Sequence, residues 1–407
     1  MEHHRDGATD APRLTVLVPA WNSAATIERA LASVLEEQGV SLECVVIDDG
    51  STDGTADVVS AMAAREARLV LLRLATNAGV SNARNEGLAI ARGEWLVFLD
   101  ADDRMLPGGI AALMRPTADP TVRAVIGQRI WADGERTWLS PLYDIPDIRQ
   151  PGRKSIATHP GLLYYSAVAG KAFHRSLVGD LRFAGRVLGD QSWTIRALLR
   201  AGGDIEVVGE TVFEWTRPHP AREVETITVV ARASASGAAE MAVVAATVYS
   251  DVSDEVDLRI ADPATRFAIK KAYLERLIRS DLSGPVSRAL DRRDPATGVY
   301  LEALAAFLES VPAPLLEDSD ILVRRILLPP LRRWRSLVPE ARAAYRRMVR
   351  ARIDADRATG YRAGGPLRVA ARALARLLGR RVGGAAASAL VATVALSRSA
   401  AARLTAG

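Results

Sequence analysis

Over about the first hundred residues, short apolar runs alternate with longer segments in which apolar positions recur every three or four residues. Residues 14–18, 43–47, 69–74 and 94–99 have the length and composition of buried strands. Between them, residues 24–38 place Ile27, Leu31, Val34 and Leu35 on one helical face, with Asn22 or Ser23 placed to cap it. A second helix begins near Thr55 and a third covers residues 80–91. Strand and helix in this alternation predict an α/β layer built on a mostly parallel sheet flanked by helices. Ligands of such sheets sit at the carboxyl ends of the strands, and three of these strands end in loops of small and polar residues.

After Arg104 the pattern predicts a short helix over 109–114 and a strand over 124–131. A long irregular stretch follows from 132 to 154, then a block from 161 to 215 with a helix over 192–201 and a strand over 205–208. Beyond roughly Glu225 only helical periodicity remains, with Ala, Leu and Arg dominant. The expected organisation is a polar tail over 1–13, an α/β domain over 14–225, and an all-α, Arg-rich C-terminal domain over 226–407.

Composition narrows the class. At 407 residues with a formal charge of +5, the chain is an ordinary globular one by apolar and charged content. Its single cysteine, Cys44, lies in an apolar run and reads as strand core in a reducing compartment. The opening residues lack the apolar core of a signal peptide, and no apolar run reaches the roughly 18 residues a membrane span needs. A cytoplasmic location is the expectation. Charge is uneven: from residue 321 onward nineteen Arg face only Glu340, Asp354 and Asp356. Arg368, Arg372, Arg376 and Arg380 share one helical face, which suits peripheral contact with an anionic membrane or a homo-oligomerising helical domain equally well. Without aromatic interleaving or a reader motif, nucleic acid is not an expected partner.

The chemistry concentrates where Leu96-Val97-Phe98-Leu99 runs into Asp100-Ala101-Asp102-Asp103. Three crowded carboxylates repel one another, and a divalent cation with an anionic ligand offsets that; an acidic turn is the plainer alternative. Asp48 and Asp49 precede Gly50-Ser51-Thr52-Asp53-Gly54-Thr55, where the backbone can approach a ligand closely or the acids can simply cap the next helix. Together with Val18-Pro19-Ala20-Trp21-Asn22, Asn77-Ala78-Gly79 and Ala83-Arg84-Asn85-Glu86-Gly87, these motifs resemble, in order and spacing, a family-two glycosyltransferase of the GT-A fold. The resemblance is strong over residues 14–104, weaker to about 217 and absent beyond.

It implies a nucleotide-sugar donor, most simply UDP-linked. Pro19, Ala20 and Asn22 would lie along the nucleoside, Asp48 or rather Asp49 would take the uracil imide, and Asn77 and Arg84 would sit close by, with Arg84 toward phosphate or the carboxylates. Asp100 and Ala101 would meet the donor, and Asp102 would bind Mn²⁺ or Mg²⁺, a hard cation suited to oxygen ligands, with Asp103 assisting. The family's Glu-Asp base motif corresponds to Gly189-Asp190, so Asp190 alone would accept the acceptor's proton, and transfer would invert the anomeric centre. The acceptor would be a hydroxyl of a glycan, a teichoic-acid-like polymer or a lipid-linked carrier. Lys171, His174 and Arg175 would sit near the acceptor or form a solvated basic face; Trp138 and Tyr143 would stack on sugars or pack their loop; Arg217 or His219 would reach the diphosphate. A nucleotidyltransferase would need a Gly-rich basic loop after the first strand, which residues 18–22 are not. The missing Glu at Gly189 leaves one alternative open, a decayed domain acting as a binding or scaffold protein through its helical tail.

Overall fold

The computed structural model describes residues 11–133, 136–216, 235–282 and 297–319. Four strands, β1 (Leu14–Ala20), β2 (Leu42–Asp48), β3 (Leu69–Arg73) and β4 (Trp95–Phe98), alternate with α1 (Ile27–Leu35), α2 (Thr55–Ala63) and α3 (Val80–Ile90). They lie in the order β3-β2-β1-β4, all parallel, so β1 is enclosed by β2 and β4. That position explains its uninterrupted apolar sequence: both faces are covered, and Leu14, Val16, Leu17 and Val18 are fully buried. Ile27, Leu31 and Val34 of α1 pack into the same core as Val46 of β2, and burying each such side chain contributes about 1.5–3 kcal/mol. Cys44 is core as expected, and burial pushes its thiol up to about 12.

The sheet then becomes mixed. After β5 (Arg104–Met105) and α4 (Gly109–Met114) come β6 (Ala124–Ala132), β7 (Thr137–Leu139), α5 (Pro146–Arg149), β8 (Gly152–Lys154), β9 (Lys171–His174), α6 (Gly189–Ala201) and β10 (Ile205–Thr216). The ten strands run β3-β2-β1-β4-β9-β6-β10-β5, with β7 on β6 and β8 on β10. Strand β9 enters antiparallel between β4 and β6, and β6 pairs parallel with β10. The parallel order read from the sequence therefore holds for the first four strands, and β9 turns the remainder mixed.

Two expectations need correction. Neither Asn22 nor Ser23 caps α1 with its side chain: Thr26 occupies the N-cap without a side-chain bond, and the Ser23 carbonyl accepts from the Thr26 and Ile27 amides. Asn22 is occupied elsewhere, as described below. Nor is 132–154 irregular throughout. Strand β7 pairs antiparallel with β6, Trp138 standing edge-on to Trp131 at 6.1 Å between ring centroids, and Pro141 and Pro146 each open a short helical turn. A three-residue edge strand is too short for its alternation to register as a pattern.

Among the described residues after Thr216 the structure is helical: Ala235–Arg259, Pro263–Arg276, a π turn Leu277–Leu282, Thr297–Ser310 and Ala313–Asp318. The chain divides into two compact units. The α/β part and Thr247–Tyr273 belong to the first, while the described residues from Leu274 on belong with residues 235–246 in the second. Within the first unit, Glu255 is almost fully buried and accepts from Arg196 and Arg200 of α6 at 3.2 and 3.0 Å, and from Arg259 at 2.9 Å. Within the second, Tyr300 donates to the Leu282 carbonyl at 2.9 Å and Arg276 pairs with buried Asp281 at 2.8 Å. No helix among the described residues is long and apolar enough to cross a membrane. The Arg-rich face at 368–380, the pair Arg217 and His219, and residues 1–10 lie outside the described residues.

Candidate active site

The register of β1 against β2 sets Ala20 opposite Asp48, and the Asp49 amide donates to the Ala20 carbonyl at 2.8 Å. The loops leaving these two strands therefore begin side by side. Asn22, at φ 48°, spends its side chain on this junction, accepting from the Thr52 amide at 2.9 Å while its own amide donates to Ser51 Oγ. Asp48 is buried, accepts from the Ser51 amide at 3.1 Å and stands 3.8 Å from Arg73. Asp53 accepts from the Thr55 amide at 3.0 Å and from the Ala24 amide at 3.0 Å, tying the start of α2 to the loop after β1. Asp49 reaches the next loop instead: the amides of Ala78 and Gly79 donate to its two carboxylate oxygens at 2.9 and 2.7 Å. Gly50 makes that approach feasible, since a Cβ there would lie 2.8 Å from the Asn77 nitrogen, and its φ of +70° suits glycine.

These loops line a cleft of about 410 Å³ formed by Pro19, Ala20, Trp21, Asp49, Asn77 to Val80, Ala83 and Arg186. Of the residues expected along the nucleoside, the cleft brings together Pro19, Ala20, Asp49 and Asn77. It does not include Asn22 or Asp48, whose side chains hold the loops. Trp21 is 51% exposed at its rim, and Arg186 was not anticipated from sequence.

Beyond β4 the chain turns through Asp100 to Asp103. Arg84, buried on α3, donates to Asp100 at 2.7 Å and lies over the Phe183 ring at 5.4 Å, so the helix side chain and the strand-end acid are clamped together. Ala101 is buried beneath. Asp102 sits in a poorly solvated turn, and burial together with the charge of Asp100 pushes its carboxyl up to about 6. Arg29 holds the turn from outside by donating to the Asp102 carbonyl. Asp103 is buried, accepts from the Thr216 amide at 2.8 Å through one oxygen, and has no hydrogen-bond partner among the described residues for the other. Burial and the two neighbouring acids raise its pKa well above the usual carboxylate range.

Among the described residues no three His, Cys, Asp or Glu side chains are arranged to hold a metal by themselves. The residues present nonetheless fit a hard divalent cation that also takes oxygens from a ligand. Two adjacent carboxylates are under-neutralised by the protein, one buried oxygen is orphaned, and the donor set is all oxygen.

Beside β4 and the start of α3 lie β9 and α6. Asp190 lies in the first turn of α6, behind Leu188 in the left-handed region at φ 58°. Gly189 packs too closely for a larger residue: an added Cβ would fall 2.3 Å from the Ala184 carbonyl oxygen and 2.7 Å from Ser81 Oγ. The position that resemblance assigns to a Glu thus has no room for one here. Lys171 is not on a solvated basic face. It is fully buried, donates to the Ala167 carbonyl at 2.6 Å, and stands 3.3 Å from the Tyr165 ring centroid, with Arg129 5.0 Å from the same ring. Burial holds its pKa well below the usual lysine range, Arg129 adds to that, and the Asp190 carboxylate opposes it. Arg175 instead donates to the Gly93 and Ala91 carbonyls, and His174 packs edge-on to Trp95, at the amino end of β4. Antiparallel pairing with β4 leaves Lys171 alone of the three at the carboxyl end.

Comparison with known proteins agrees with this geometry. Residues 15–181 match the profile of Glycosyl transferase family 2. Among relatives, the succinoglycan biosynthesis protein ExoO of Rhizobium meliloti is 45% identical over 96 residues, covering 24% of this chain and 27% of its own. A PGL/p-HBAD biosynthesis glycosyltransferase of Mycobacterium tuberculosis is 35% identical over 95 residues, 23% of this chain and 37% of its own. The matched stretch is therefore well under half the length of these curated relatives. The crystal structure of S. aureus TarS 1-349 in complex with UDP-GlcNAc superposes with a TM-score of 0.65 at 21% identity, covering 86% of this chain and 93% of that one. The fold is GT-A, and residues 15–181 form a domain of glycosyl transferase family 2.

Proposed function

We propose that the protein is a metal-dependent, inverting glycosyltransferase that moves a sugar from a nucleotide donor, UDP-linked, to a hydroxyl of a glycan, a teichoic-acid-like polymer or a lipid-linked carrier. The observation that carries this reading is the Arg84–Asp100 clamp beside under-neutralised Asp102 and Asp103, one strand from the cleft that Asp49 organises. The UDP-GlcNAc bound by TarS supports uridine as the donor's nucleoside.

In this mechanism the cleft from Pro19 to Asn77 receives the nucleoside, and Asp49 keeps the loops that form it in register. Asp102, with Asp103 behind it, would hold a divalent cation, whose role is to offset the diphosphate charge as the sugar's C1–O bond breaks. Asp190 takes the proton from the acceptor hydroxyl as that oxygen attacks C1 from the face opposite the diphosphate. The new C1–O bond inverts the anomeric centre, and the nucleoside diphosphate leaves with the bonding pair. Asp190 lies in the first turn of α6, where the helix N-terminus faces it, and it interacts with buried Lys171 of β9.

A panel of nucleotide sugars, each tested with Mn²⁺ for hydrolysis and for transfer to envelope glycans, checks the reading. Turnover of at least one UDP-sugar is expected. Absence of turnover across the panel, with no nucleotide raising the melting temperature, would overturn it.

A further inference from the structure

Arg186 lines the cleft together with Asp49, Asn77, Gly79 and Val80, and its exposed side chain makes no ion pair among the described residues. The cleft's carboxylate cannot serve as its counter-ion, because both oxygens of Asp49 already accept from backbone amides. Nor does α3, whose start shares the cleft, supply one: its first turn holds no acidic residue and its N-cap, Gly79, has no side chain to offer. The cleft thus presents uncompensated positive charge where a ligand enters.

The loop that carries Arg186 is fixed. Asn85 of α3 accepts from the Phe183 amide and donates to the Phe183 carbonyl, both at 2.9 Å, and Ser81 donates to the Gly185 carbonyl at 2.6 Å. Three hydrogen bonds from one helix therefore strap residues 183–185 against α3, setting Arg186 immediately beyond the strap. Asn85 lies in the Ala83-Arg84-Asn85 motif, but its bonds are to this loop.

We propose that Arg186 is a donor-binding residue, taking the anionic diphosphate of the nucleotide through its guanidinium, with Asn85 and Ser81 as positioning residues that hold its loop. The assignment rests on the nucleotide-donor reading above. A planar guanidinium suits two phosphate oxygens at once, and an exposed side chain can close over the ligand without breaking an existing bond.

Calorimetric titration of the full chain with UDP and, separately, with uridine, at fixed Mn²⁺, tests this. Arg186→Ala is expected to weaken UDP about tenfold while leaving uridine affinity and melting temperature unchanged, and Arg186→Lys should recover part of the loss. Unchanged UDP affinity in Arg186→Ala would overturn the assignment, as would an equal loss for uridine, which would place the side chain on the nucleoside. Wild-type protein that binds neither ligand would overturn the donor reading itself, an outcome distinct from both.

Discussion

The proposed donor side and the proposed acceptor side of the site are built on different principles. On the donor side, the acids lie at the ends of β2 and β4, the parallel strands that flank β1, and are tied locally: Asp49 to two amides of the neighbouring loop, Arg84 to Asp100, Asp103 to the Thr216 amide. On the acceptor side, Asp190 depends on the antiparallel entry of β9, on buried Lys171, on Leu188 in a left-handed conformation and on a glycine with no room for a side chain. Charge is concentrated and under-neutralised on one side, while on the other it is positioned by packing. The difference teaches that donor and metal binding should tolerate changes at α6 that abolish transfer.

The sharpest way to break that contrast is Asp190→Asn, expected to lower transfer by about 10²–10⁴ with UDP affinity unchanged by titration. Retained transfer would mean that the base is another group. Asp102→Asn should lower transfer by about 10²–10³ and also remove the dependence on divalent cation, which the Asp190 variant keeps. A rate profile against Mn²⁺ concentration separates the two.

A third effect concerns pH. The Asp102 carboxyl titrates near 6 in the fold, against the ordinary value of about 3.9, so the folded state holds this proton more tightly than the unfolded chain. The associated stability, about 3 kcal/mol at most, is fully present below about pH 4 and is lost as pH rises through about 6. Metal-free protein should therefore show a melting temperature that falls between pH 5 and 7 more steeply than that of Asp102→Asn, and Mn²⁺ should reverse the fall. Parallel profiles for the two proteins would contradict this. The smallest effect is on the acceptor side: Gly189→Ala should destabilise by about 1–3 kcal/mol, read as a lower urea midpoint, because its Cβ meets the Ala184 carbonyl.

The same contrast governs what the sequence discloses. The placement of Asp49, Asp100 and Asp102 is legible because each follows the end of an apolar strand, and Arg84 of α3 meets that strand end through Asp100. Within that motif set, however, Asn22 and Asp48 prove to hold loops, a distinction that depends on which amide lies nearest and has no signature in spacing. Lys171 resembles a surface basic residue until β9 is inserted between β4 and β6. Arg186 is one arginine in a loop, and only the bonds from Asn85 and Ser81 give its place meaning. Strand β7 is too short to carry a period, yet Trp138 packs the hairpin against Trp131.

The central claim is that a nucleotide binds with a divalent cation at the Asp100–Asp103 strand end. Titration of UDP into wild-type and Asp102→Asn protein, each with and without Mn²⁺, tests it most directly. The account predicts that Mn²⁺ tightens UDP binding to the wild type by an order of magnitude or more, on the scale of a charge-assisted contact worth about 1.5–3 kcal/mol, and does nothing for the variant. Equal enhancement in both proteins, or none in the wild type, would contradict it.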